Sequence, residues 1–102
     1  MKKQYKPIIC KDGFKMSVQA SEYNYCTPRI DNAEEYTKVE VGYPSRHEDL
    51  LIPYMDGYGD ETCPTNTVYG WVPSQVIVDV VAKHGGIVEG ELPPGIPYLE
   101  AS

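Results

Sequence analysis

The chain has 102 residues, 41% of them hydrophobic, with nine tyrosines, nine prolines and nine glycines. That length builds one domain around a single core; the apolar and aromatic content excludes a disordered chain, and the prolines and glycines imply a loop-rich architecture. A net charge of −6 argues against unassisted binding to nucleic acid, and no apolar run approaches the roughly eighteen residues of a membrane span.

The charge is unevenly spread. Lys2, Lys3, Lys6, Lys11 and Lys15 against Asp12 make the first fifteen residues +4, leaving four basic and fourteen acidic residues, or −10, in the rest. Such asymmetry suits a basic partner or head-to-tail packing of copies. Cys10, Cys26 and Cys63 form no C-x-x-C pair and no disulfide framework, and no apolar run as long as about seven residues follows the N-terminal lysines. A reducing cytoplasm without a visible signal peptide is therefore the expected setting.

In chain order, the first signal is KPIICK and FKMSVQA joined by Asp12-Gly13, the pair favoured in two-residue type I′ hairpins. That loop would set Lys11 opposite Phe14 and Ile9 opposite Met16. Ile9, Phe14, Met16 and Val18 would then face the core, with Ile8, Cys10, Lys15, Ser17 and Gln19 on the other side and Ser21 continuing that line. YTKVEVGY alternates as a third strand, with Thr37, Val39, Val41 and Tyr43 on one side. Ser45 and Glu48 have the spacing of a capping box and predict a short helix ending at Pro53. Residues 53–66 read as a long irregular loop.

TVYGWV suits a fourth strand in which Gly70 marks a weak point or a close approach. In PSQVIVDVVAKHGG, Val76, Ile77, Val80 and Val81 recur on one helical face, and Gly85-Gly86 supply the stop. IVEGEL returns as a short edge strand, and residues 92–102 form a proline-rich arm. The whole predicts a single α+β domain over residues 1–102, in two layers: an antiparallel sheet of four to five strands with one main helix on its apolar face. The other face is left for water, a partner or a ligand.

No motif is diagnostic of a reaction. Catalysis by Cys26 would need a base, with His47 and His84 as the candidates and Arg29 nearby, but no family signature surrounds the thiol. The cysteines and histidines are scattered singly, unlike a zinc site, and Asp56, Asp60 and Glu61 lack EF-hand spacing. No metal or other cofactor is expected. His84 falls at the helix C-terminus, where an imidazolium is favoured by the dipole. Phosphate-cradling glycine motifs are absent. SEYNYCTPR differs in kind: its hydroxyls, amide and arginine can converge on a small anionic ligand, its tyrosines can anchor a protein interface, or it can simply be a turn. The candidate binding residues are Ser17, Gln19, Ser21, Tyr23, Tyr25, Cys26 and Arg29.

SVQASEYNYCTPR, YTKVEVGYPS and VYGWVPSQVIVDVVAKHGG, in that order, resemble a family of small uncharacterised proteins encoded by tailed bacteriophages, over roughly residues 14–86. The N-terminal lysines, the DGYGDETCPTNT loop and the proline arm are peculiar to this chain. The resemblance implies a context, the bacterial cytosol during infection, and no site. The expectation is a non-enzymatic host-takeover or anti-defence protein, homo-oligomeric, that binds a host protein. The alternatives are a protein that sequesters a nucleotide-like signal and, third, a small Cys26-dependent hydrolase.

Overall fold

The computed structural model describes residues 4–55 and 63–102. Five strands, β1 (Ile8–Cys10), β2 (Lys15–Gln19), β3 (Lys38–Gly42), β4 (Val68–Pro73) and β5 (Ile87–Glu89), form one antiparallel sheet in the order β4-β3-β2-β1-β5. The helix α1 (Ser74–Lys83) joins β4 to β5 and buries Ile77, Val80 and Val81 in the cluster formed by Met16, Val18, Val39, Val41 and Val72. This is the expected α+β class, with the sheet left open. The opposite face carries Lys15, Ser17, Gln19, Lys38 and Glu40, none of them buried.

The hairpin register differs from expectation by one residue. Cys10 N–H bonds the Phe14 carbonyl at 2.8 Å, Gly13 N–H bonds the Cys10 carbonyl at 2.9 Å, and Ile8 pairs with Met16. The loop is thus three residues, Lys11 to Gly13, with only Gly13 at positive φ (91°). In that geometry the Asp12 carboxylate can accept the Phe14 N–H at 2.9 Å, an Asx turn that a type I′ loop would not supply. Because strand side chains alternate, the one-residue slip exchanges faces: Ile8 and Cys10 are buried and Ile9 is on the open side.

The capping-box helix does not form. Ser45 ties back to the start of β2 instead, its N–H bonding the Lys15 carbonyl at 2.7 Å and its hydroxyl accepting the Lys15 N–H at 2.9 Å. Glu48 is drawn inward, and only a 3₁₀ turn at Ile52–Tyr54 remains. Tyr43 likewise leaves the core line, at φ 50° and 60% exposed.

Both sheet edges are partly occupied. The proline arm docks on its own chain, pairing Glu100 beside Ile87, with Ile87 N–H to Leu99 carbonyl at 2.8 Å and Ala101 N–H to Ile87 carbonyl at 2.9 Å. Met55 bridges Tyr69 on β4. Covering an edge in this way removes a template for strand-to-strand aggregation. No helix among the described residues is long and apolar enough to cross a membrane.

Candidate recognition surface

The 21–29 segment is a turn whose own polar side chains build it. The Ser21 hydroxyl donates to Asn24 Oδ1 at 2.6 Å and accepts the Tyr23 N–H at 3.1 Å, while the Cys26 thiol donates to the Ser21 carbonyl at 3.2 Å. Glu40 on β3 clamps the turn to the sheet, its two oxygens accepting Asn24 Nδ2–H at 3.1 Å and Tyr25 N–H at 2.8 Å. A carboxylate accepting two such donors makes a stronger tie than neutral pairs would.

On β4 the register shifts opposite Glu40, so that Gly70 and Trp71 lie in the interval between the pairs Val39–Val72 and Val41–Tyr69. Such a bulge bends the strand and redirects a side chain. Tyr25 packs directly over Gly70, where an added Cβ would lie 3.2 Å from Tyr25 Cβ. Trp71 N–H bonds the Tyr25 carbonyl at 2.9 Å, and Trp71 itself sits at φ 50°. For a bulky residue that conformation costs about 1–3 kcal/mol and persists only where the surroundings impose it.

The outcome is an exposed aromatic stack. The Tyr25 and Trp71 rings lie 4.8 Å apart at 20°, the Arg29 guanidinium is 5.3 Å from the Tyr25 ring centre, and Trp71 is 47% exposed. Arg29 Nε–H donates to the Glu22 carbonyl at 3.1 Å, and its terminal nitrogens form no ion pair among the described residues. Tyr23 stands beside the turn at 66% exposure.

No known family, curated protein or solved structure matches this chain. Its function has to be argued from the geometry.

The seven residues singled out from sequence divide by role. Tyr23, Tyr25 and Arg29 are displayed. Ser21 and Cys26 are buried inside the turn. Gln19 spends its amide on the N-terminal segment, donating to the Tyr5 carbonyl at 2.6 Å and the Ser17 hydroxyl at 3.0 Å and accepting the Tyr5 N–H at 2.9 Å. Burial pushes the Cys26 thiol above its ordinary pKa, and its hydrogen bonds go to the Ser21 and Pro28 carbonyls rather than to a histidine. That is a poor environment for a nucleophilic thiolate. Trp71 was missed, although Gly70 beside it did signal a close approach. The calcium candidates Asp56, Asp60 and Glu61 lie outside the described residues.

A second constellation also escaped the sequence. His84 is 8% exposed, stacked 4.1 Å from Phe14, with Nδ1 2.6 Å from Asp12 and Nε2 2.6 Å from Glu48. Arg46 pairs with Asp12 at 3.0 Å and Lys83 with Glu48 at 2.9 Å. Arg46, Asp12, His84, Glu48 and Lys83 thus form one connected chain of side chains, basic and acidic by turns. Both His84 ring nitrogens are occupied by carboxylates, whereas the Cys26 thiol bonds backbone carbonyls, so the two do not form a catalytic pair. His84 is a lock joining the hairpin tip, the 45–51 turn and the helix end.

This lock makes stability acid-sensitive. The Phe14 N–H, with His84 and Arg46 beside it, holds the Asp12 carboxyl down to about 2 against the opposing effect of burial. Burial pushes Glu48 up, but the Leu50 N–H, Lys83 and His84 outweigh it and hold its carboxyl below the usual range. A carboxyl depressed on folding contributes stability that is present above its unfolded pKa and lost as pH falls through the folded one. The melting temperature is therefore expected to fall between about pH 4 and pH 2, less steeply in Asp12→Asn than in the parent. Parallel pH curves for the two proteins would remove Asp12 from the account.

Proposed function

We propose that this chain is a non-enzymatic binding protein, a phage accessory factor of the host-takeover or anti-defence kind, that engages a host protein in the bacterial cytosol through Tyr23, Tyr25, Arg29 and Trp71. The observation that carries the reading is the Tyr25–Trp71 stack, held at the surface by Glu40 and by a strained Trp71 backbone. Tyrosine, tryptophan and arginine dominate binding hot spots, and a pre-ordered aromatic pair loses little entropy on docking. The buried, histidine-free setting of Cys26 supports binding over hydrolysis. The homo-oligomer expected from the sequence would use the open sheet face, since segments of this chain already lie along part of both edges.

One observation favours a second reading. The open terminal nitrogens of Arg29 beside an aromatic ring suit a small anionic, nucleotide-like ligand. Ser17, Gln19 and Ser21 belong less to that set, because Gln19 and Ser21 already make internal bonds.

Both readings meet one experiment, a pull-down from infected or expressing bacteria with mass spectrometry of bound proteins and bound small molecules. Trp71→Ala and Arg29→Ala are each expected to weaken recovery of a protein partner by about 30-fold, the roughly 2 kcal/mol of a hot spot, with the fold intact by circular dichroism. Undiminished recovery by both variants would remove this surface as the interface. Recovery of a small molecule, lost with Arg29→Ala, would decide for the second reading.

A further inference from the structure

On the open face, β2, β1 and β5 place Lys15, Ile9 and Glu89 in one cross-strand row, Ile9 pairing with Lys15 on one side and Glu89 on the other. Simple alternation from buried Ile87 would point Glu89 into the core. The register shift between Ile9 and Cys10 instead brings Glu89 beside Ile9.

The row lines an open cavity of about 430 Å³, completed by Lys6, Pro7 and Gly90. That volume lies at the small end of the range for ligand sites. Ile9 and Pro7 supply the apolar side chains of the lining. Lys6 and Lys15 bring two positive charges to the lining and Glu89 a negative one, and none of these three side chains has an ion pair among the described residues. Lys15 and Glu89 are two strand spacings apart, about 10 Å, so that Ile9 separates them. Glu91 adds a second carboxylate at the rim, where it also accepts the Lys6 N–H at 3.0 Å.

We propose that this cavity binds a small zwitterion of the amino-acid class, a free apolar amino acid or a dipeptide. Its carboxylate meets Lys15 and Lys6, its ammonium meets Glu89, and its side chain rests on Ile9 and Pro7. A simple anion would face the two glutamates and a simple cation the two lysines. A ligand carrying both charges around an apolar body is complementary to the whole lining. The site is separate from the Tyr25–Trp71 surface and does not depend on it.

The test is an amide-resolved NMR titration of the intact chain with L-leucine and L-leucyl-L-leucine, beside N-acetyl-L-leucine, which lacks the ammonium, and L-leucinamide, which lacks the carboxylate. Saturable shifts at Ile9, Lys15 and Gly90 are expected with the zwitterions, and at least roughly tenfold weaker binding with either capped form, the loss of one charge-assisted contact. Glu89→Gln and Lys15→Met should each weaken zwitterion binding similarly, and Trp71→Ala should leave it unchanged. No saturable shift with either zwitterion up to about 10 mM, weaker than any meaningful site, would overturn the proposal. So would equal binding of free and capped leucine.

Discussion

Glu48→Ala is expected to destabilise the protein by about 3–5 kcal/mol, the range for removing one partner from a buried ion pair. Glu48 is 1% exposed, and its two oxygens serve His84 at 2.6 Å, Lys83 at 2.9 Å and the Leu50 N–H at 3.0 Å. Removing the carboxylate leaves His84 Nε2 without its partner inside the protein, and the 45–51 turn without its tie to the helix end. Glu48→Gln keeps a polar partner for His84 and is expected to lose less. Urea unfolding should show a lower midpoint at an unchanged slope, because the same surface is exposed when the chain opens. A loss under about 1 kcal/mol for Glu48→Ala would mean that the alternating charges are surface ornament, worth no more than exposed pairs.

Gly90→Ala should cost a comparable amount for an unrelated reason. Gly90 has φ 120°, and a Cβ there would press against the Pro7 carbonyl oxygen and lie 2.7 Å from Ile8 Cα. Those are backbone atoms, which cannot rotate aside. The methyl therefore imposes backbone strain of about 1–3 kcal/mol and forces β5 away from the chain leading into β1, an overpacking cost of about 1–3 kcal/mol more. The expected sum is about 2–6 kcal/mol. Hydrogen exchange should show early loss of protection at Ile87 and Glu89, whose partners are β1 and the C-terminal arm, before β3 and β4 open. Uniform loss across the sheet, or a stability equal to the parent's, would contradict this account of Gly90.

How much was legible beforehand depended on how local each signal was. The main helix rested on the recurrence of Val76, Ile77, Val80 and Val81 and on the glycines after His84, all within a dozen residues, and it formed as expected with Ile77, Val80 and Val81 buried. The β4 strand was read from its β-branched and aromatic content, and of the two readings of Gly70, a weak point or a close approach, the structure shows the close approach, by Tyr25. The hairpin existed where Asp12-Gly13 placed it, but its register did not follow from the pair alone. A two-residue and a three-residue loop are both compatible with that dipeptide, and Asp12 is held by Phe14 N–H within the loop and by His84 across the fold.

Ser45 and Glu48 show why a local motif can fail. A capping box is worth about 1 kcal/mol, less than what a buried partner can offer a carboxylate. Glu48 therefore pairs with a histidine 36 residues away and the helix is forgone. Asp12 and His84 are 72 residues apart, and nothing near either predicts the other.

The candidate surface divides in the same way. Composition alone marked the 21–29 segment as tyrosine-rich with one arginine, and local turn chemistry sufficed to bend it. Which of those residues reach solvent, and that Trp71 joins them, was decided only when β4 came to lie beside β3 with two residues in the interval opposite Glu40. The sequence by itself determined the α+β class, the main helix and the polar alternation of β2 and β3, because these depend on neighbours within a few turns or pleats. The tertiary structure decided the hairpin register, the lock that joins buried His84 and Glu48 to Asp12 at the surface, and the exposed Tyr25–Trp71 stack. Each depends on contacts between distant segments, whose free energies exceed the local preferences they override.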